Sequence, residues 1–260
     1  MVVAMNRLSR IPGGLPVLTF IGLLLVWEIS VLALQVPSFL LPSPSRIAAG
    51  FEPVPALRWM EHVWATLRVA MIGFVTAIVV SIPLAIGLTR SRVLSAGLYP
   101  LLVVIQSTPI VAIAPIIIVT MGSGDPSRVL ITFMISFFPL VVSLTTGLRA
   151  TPDELIELSH SLRAPVLREF TQIRIPYAIP YFFSGLKISV TLSVIGAVVA
   201  EFVAAEKGIG FFIQFSTSLF RIPQAWAGLF ILVMMSLTLF QIISLAQKVF
   251  FPWSLPRETK

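Results

Sequence analysis

Residues 149–176 read RATPDELIELSHSLRAPVLREFTQIRIP, a polar and charged island set between long apolar runs. The flanks decide what the island is. Of the 260 residues 57% are hydrophobic and 11% charged, and the mean hydropathy is +0.99. That is more apolar surface than a soluble core of this length hides, so the chain reads as an integral membrane protein. Crossing a ~30 Å hydrocarbon layer takes roughly 20 helical residues. Runs of that kind fall at Leu15 to Val36, Val63 to Leu88, Leu98 to Met121, Val129 to Leu148, Tyr181 to Ala204 and Trp226 to Phe251. They are continuous rather than alternating, which selects helices over a barrel. The expected fold is an all-α membrane protein with about six transmembrane helices, a single membrane domain over residues 1–260, and the island as a loop between the fourth and fifth spans. The first run is followed by Pro37 to Pro42 without a small-x-small cleavage pattern and is expected to remain as an anchor.

Lysine and arginine give the orientation. With the N-terminus inside, Arg7, Arg10, Arg90, Arg92, Arg149, Arg163, Arg168, Arg174, Lys187, Lys248, Arg257 and Lys260 fall on the cytoplasmic side, twelve of the 18 basic residues. Arg46, Arg58, Arg68, Arg128, Lys207 and Arg221 are left outside. The positive-inside rule then puts both termini and the island in the cytoplasm. It also accounts for the net charge of +7 without a nucleic-acid partner. There is no cysteine, and His62 and His160 are the two histidines, which excludes disulfides, thiolate catalysis and Cys-ligated or all-His metal sites.

Within the island, Thr151 as N-cap, Pro152 at N1 and Glu154 at N3 predict a capping box. Leu155, Leu158 and Leu162 then share one face, with Glu154, Glu157 and Ser161 on another. Pro165 is expected to open a second short helix, with Val166, Phe170 and Ile173 on one side, and Pro176 to stop it before the fifth span. The result is a bent helical finger. A helix lying on anionic lipid has no use for Asp153, Glu154 and Glu157 on its exposed side.

At these residues the chain resembles the permease subunits of ATP-binding-cassette (ABC) importers. Their cytoplasmic loop carries Glu-Ala-Ala, three residues, Gly, nine residues, then Ile-x-Leu-Pro. Glu157-Leu158-Ser159 takes the first triplet, Ala164 to Gln172 are the nine residues, and Ile173-Arg174-Ile175-Pro176 follows at the expected spacing. Arg163 stands where the family has glycine. An arginine there implies either a different bend or a penalty of roughly 1 kcal/mol, and Pro165 is a second candidate for redirecting the chain. Phe39-Leu40-Leu41-Pro42-Ser43-Pro44-Ser45, Gln106-Ser107-Thr108-Pro109 and Ala200-Glu201-Phe202 are similar to the nitrate, sulfonate, taurine and pyrimidine-precursor subgroup.

The resemblance implies a subunit of the bacterial inner membrane that pairs with a second permease copy to form the pathway. It implies an ABC ATPase dimer as the partner that binds ATP and magnesium, and an extracytoplasmic substrate-binding protein that delivers a small solute. Lipid surrounds the chain and no cofactor is bound by it. On this reading Glu157, Leu158, Ser159, Arg163, Ile173 and Pro176 couple to the ATPase. The chain has no Gly-x-x-x-x-Gly-Lys-Ser/Thr phosphate loop of its own. An ion-coupled secondary transporter would share the hydropathy but would not require the docking loop. An intramembrane enzyme would need a serine–histidine pair or clustered aspartates, which His62, His160, Asp125 and Asp153 do not supply.

Inside the spans, Gln106, Ser107 and Thr108 precede Pro109, and Pro115 follows, so a kink is expected in the third span. Irregular backbone at membrane depth lines cavities, which makes Gln106 and Thr108 candidate pathway residues, with Glu201 a lesser one. Packing alone is an equal explanation of the kink. Glu28 and Glu201 are read first as structural. Gly208-Ile209-Gly210-Phe211-Phe212 opens an amphipathic stretch, either dipping toward the membrane or forming an interfacial turn.

Overall fold

The structure, a computed structural model, describes residues 14–255. Arg7, Arg10, Arg257 and Lys260 from the charge count lie outside the described residues, as does the expectation for the two termini. The helices are α1 (Gly14–Ala33), α2 (Pro44–Ala49), α3 (Ala56–Arg90), α4 (Arg92–Ser107), α5 (Ile110–Met121), α6 (Asp125–Arg149), α7 (Asp153–Ser161) and α8 (Val166–Glu169). A π-helical turn (Phe170–Arg174) leads into α9 (Ile175–Ala204), followed by α10 (Ile209–Ser218), α11 (Ile222–Phe250) and a 3₁₀ turn (Pro252–Ser254). No strand occurs among the described residues. Five helical runs are long and apolar enough to cross a membrane: α1, α3, α6, Val166–Ala204 and α11. The pair α4 and α5 makes a sixth if it is counted as one span.

That pair turns the kink expected in the third span, Leu98 to Met121, into a complete break. α4 and α5 meet at 92°. Pro109 offers no N–H and pushes Thr108 out of helical geometry, to φ −79° and ψ 126°. Two hydroxyls take up carbonyls near the break: Ser107 Oγ donates to Val103 at 2.8 Å and Thr108 Oγ1 to Val104 at 3.0 Å. Pro115 sits inside α5 without breaking it.

The chain forms two compact units, divided at Trp59/Met60, Phe211/Phe212 and Phe230/Ile231. The smaller contains α1 and α2. Its Glu28 explains itself: the carboxylate accepts from the Ser45 amide at 2.9 Å and the Ser45 hydroxyl at 2.7 Å, capping the first turn of α2. Trp27 and Trp226 pack with ring centres 5.3 Å apart and planes inclined at 59°.

The larger unit is organised by α6 and α9, which run antiparallel in close contact. Gly147 meets Tyr181, Ser143 meets Gly185, and Thr132 meets Gly196. A Cβ on Gly196 would stand 2.8 Å from Thr132 Cα, and one on Gly185 would stand 2.8 Å from Ser143 Cβ. Small residues let the backbones approach, and in lipid this close packing replaces the hydrophobic drive available in water. The buried hydroxyls of Thr132, Ser136 and Ser193 donate to carbonyls of the preceding turn at 2.8 Å, so they burden the interface with no unpaired group. Around this seam Phe74, Leu140, Phe183, Leu186 and Val190 form one core cluster, with Leu239 and Ile243 of α11 packed against it. Ala114, Ile117 and Ile118 of α5 form another with Ile131 and Ala200.

Candidate functional site

The finger begins where α6 ends. Thr151 does not cap α7 as expected. It is buried, and its hydroxyl turns back toward the Leu148 carbonyl at 3.5 Å, while α7 starts at Asp153 without a side-chain cap. Asp153 and Glu154 still place negative charge at the positive end of the helix.

At the far end of α7, Arg163 has φ +51°. Its amide donates to the His160 carbonyl at 2.9 Å, and the Ala164 amide donates to Ser159 at 3.0 Å. This is the Schellman pattern of helix termination, built around a left-handed residue for which glycine is the usual choice. The bend is thus the one a glycine would make, adopted by an arginine at a conformational cost of about 1–2 kcal/mol.

The second arm also departs from expectation. Pro176 does not end a short helix. The chain passes from α8 through the π turn into α9 without interruption, with Pro176 in the first turn of α9. A proline ring collides with the carbonyl four residues back in a regular α-helix. Here the Ile175 amide bonds to the carbonyl of Phe170, five residues back, so the turn just before the proline is wider than an α turn. The finger is one free helix, a left-handed corner, and an extension of the fifth span.

A carboxylate that sequence reading missed holds this arrangement. Glu169 is buried and lies between two arms of the finger. Arg174 Nε donates to Glu169 Oε1 at 2.7 Å, and His160 Nε2 of α7 lies 3.3 Å from Oε2. Arg174 Nη1 also reaches the Leu148 carbonyl at 3.3 Å, tying the clasp to the end of α6. Its guanidinium stands 5.4 Å from the centre of the Phe170 ring. Glu169 and Arg174 are five apart, outside the three- and four-residue spacing of helical pairs. The π turn brings them together.

The six coupling candidates all lie in the finger or where it joins α9. Ser159 is buried beneath α7. Glu157, Leu158 and Arg163 face out, and Ile173 and Pro176 are half-buried where the finger joins α9. Leu158 is 54% exposed, Leu162 72% and Leu167 76%, so both arms of the finger expose large apolar side chains.

Gln106 and Thr108 lie at the α4–α5 bend. Gln106 is exposed in the last turn of α4, and Thr108 is half-buried with its hydroxyl committed to Val104. Glu201 has a different setting. It is 1% exposed, and its Oε2 accepts from the Gly210 amide at 2.7 Å. The two preceding amides are held as well: Gly208 donates to His62 Nδ1 at 3.2 Å and Ile209 to Thr66 Oγ1 at 2.8 Å. Three consecutive N–H groups at the start of α10 thus meet acceptors from α3 and α9. Gly208 has φ +127°, and a Cβ there would overlap the Glu201 carboxyl group. The Gly208-Ile209-Gly210 segment is a cradle for that carboxylate, with His62 and Thr66 as partners the sequence did not reveal.

A right-angled break beside polar residues in an apolar bundle, with a rigid acidic finger after the next long helix, is the architecture of a membrane transport subunit. The family model described as binding-protein-dependent transport system inner membrane component matches residues 77–254, and the chain belongs to that family. Its span covers the bend, the finger, Glu201 and Gly208 to Gly210, while His62 and Thr66 lie before it.

The chain is 33% identical to the formylaminopyrimidine transport permease protein ThiX of Halalkalibacterium halodurans, over 92% of this chain and 95% of that one. It is 35% identical to the riboflavin transport system permease protein RibX of Chloroflexus aurantiacus, over 92% and 90%. The fold matches a chain of the inward-facing MetNI methionine ABC transporter with a TM-score of 0.62 at 18% identity, covering 78% of this chain and 100% of that one. The protein is an ABC importer permease of the subgroup that also includes nitrate and taurine permeases.

Proposed function

We propose that this chain forms the translocation pathway of an ATP-driven importer as a dimer and takes its power stroke through the finger at residues 149–176. The observation that carries the reading is mechanical. An exposed apolar and acidic surface on α7 and its C-cap residue (Glu157, Leu158, Leu162) is tied through His160, Glu169 and Arg174 to both α6 and α9, the two helices that form the core seam. Force applied to α7 therefore reaches two membrane helices with little slack. An ABC ATPase dimer, which binds ATP and magnesium, is the partner that would apply it, and an extracytoplasmic binding protein would deliver the solute.

The positive-inside count supports a cytoplasmic finger in a bacterial inner membrane. Gln106 and Thr108 at the bend are the proposed pathway residues. Glu201, buried in its cradle, belongs to that set as a group that fixes the start of α10. The relatives' names support a small solute of the sulfonate, nitrate, taurine, pyrimidine or flavin-precursor kind. The test is purification of the permease from its own cells in mild detergent, comparing the unmodified chain with Glu157→Arg. A co-purifying ATPase that the variant releases, with membrane insertion unchanged, supports the reading. A permease that emerges without any ATPase under conditions that preserve membrane complexes contradicts it.

A further inference from the structure

A cavity of about 300 Å³ lies between α4 and α6, at the end of α6 that leads into the finger, and Ser95, Tyr99, Thr145, Thr146 and Arg149 supply its polar lining. Arg149 Nη2 donates to the Leu88 carbonyl at 2.8 Å and to Ser95 Oγ at 2.9 Å. A guanidinium carries five N–H donors, so those on Nε and Nη1 remain free. Among the described residues Asp125 pairs with Arg68 and Arg128, and Glu169 with Arg174 and the nearby His160 ring, so Arg149 faces the cavity with no carboxylate partner among them. Ser95 accepts from Arg149 and keeps its own proton to donate.

Thr145 supplies the second observation. It lines the same cavity, is 4% exposed, and its hydroxyl has no hydrogen-bond partner. A helical threonine commonly returns its hydroxyl to the preceding turn, as Thr132 does in the same helix at 2.8 Å. An unpaired buried hydroxyl is unfavourable, and a ligand in the cavity would satisfy it. Uncommitted guanidinium donors, two hydroxyls able to donate, and no acidic group make the complement of an oxyanion. At about 30 Å³ per water, the space holds a phosphate or sulfonate group with part of its substituent.

We propose that this cavity binds an oxyanion, either the phosphate of an anionic lipid headgroup or the anionic group of a small solute, through Arg149, Ser95 and Thr145. The site adjoins the joint of the finger, because Leu148, the neighbour of Arg149, is the residue whose carbonyl Arg174 contacts. Occupancy there would brace the end of α6.

The test uses the intact importer complex in detergent. Native mass spectrometry titrates phosphatidylglycerol onto it, and calorimetry titrates inorganic phosphate and methanesulfonate. At least one probe is expected to bind, with Arg149→Gln weakening it about tenfold or more, as loss of a charge-assisted contact requires. Binding of the lipid alone assigns a headgroup site, and binding of the free anions assigns a solute site. No binding of any probe, or equal binding by the wild type and Arg149→Gln, overturns the proposal. Should Arg149→Gln fail to assemble, Ser95→Ala and Thr145→Val carry the test. Each is expected to weaken the bound probe about threefold, and unchanged affinity in both overturns it.

Discussion

Replacing Arg163 isolates a backbone effect, because its exposed side chain makes no hydrogen bond or ion pair with any described residue while its φ is +51°. Holding a non-glycine L-residue in the left-handed region costs about 1–2 kcal/mol. Glycine removes that cost but gains freedom in the unfolded chain, which returns about 0.4–1 kcal/mol. Arg163→Gly should therefore stabilise the corner by about 0.8 kcal/mol, the difference of the two midpoints, a factor of roughly four in its opening equilibrium. Valine, branched at Cβ, is worse placed in that region than arginine, and Arg163→Val should open the corner about five- to thirtyfold more often.

The reporter is hydrogen exchange at the Ala164 amide, which donates across the corner to Ser159 at 3.0 Å. After correction for intrinsic exchange rates, its protection should rise in the glycine variant and fall in the valine variant. Equal protection in all three proteins would refute the claim that the arginine is strained there.

Glu169→Gln removes the negative charge that faces the half-buried Arg174 and should cost about 3 kcal/mol. A thermal-unfolding double-mutant cycle with Arg174→Gln should show coupling well above 1 kcal/mol, whereas additivity would mean the clasp is ornamental. Gly208→Ala places a methyl group on the Glu201 carboxyl at a left-handed position, so it should sharply reduce the yield of folded protein. Glu201→Ala should partly restore that yield, and absence of rescue would place the defect elsewhere. Gln106→Ala should lower solute uptake by reconstituted importer about tenfold with assembly intact; unchanged uptake would reduce the α4–α5 bend to a packing feature.

The spans were legible because each is a long apolar run, and the finger because proline, leucine and acidic residues fall at helical spacings that few other structures satisfy. What escaped the sequence has specific causes. The rule that proline ends a helix assumes α geometry, and the π turn before Pro176 changes it. That same turn pairs Glu169 with Arg174 at a spacing helical rules do not scan. Thr151 had the right composition for a cap, but the end of α6 claims its hydroxyl.

The third span was expected to kink and instead breaks, since Ser107 and Thr108 offer hydroxyls that stabilise a complete interruption beside Pro109. The Glu201 cradle draws on His62, Thr66 and Gly208, residues far apart in sequence, and only tertiary structure could join them. At Arg163 the sequence left open a new bend or a strained one, and the strained one is present.

The most direct test of a force-bearing finger uses the absence of cysteine from the sequence, which makes Leu162→Cys a unique label site at the exposed C-cap of α7. Its maleimide labelling rate would be measured in membranes with and without the ABC ATPase subunits. The account expects about tenfold protection when the ATPase is present, reversed by Glu157→Arg. Equal labelling with and without the ATPase, in membranes where import is active, would contradict it.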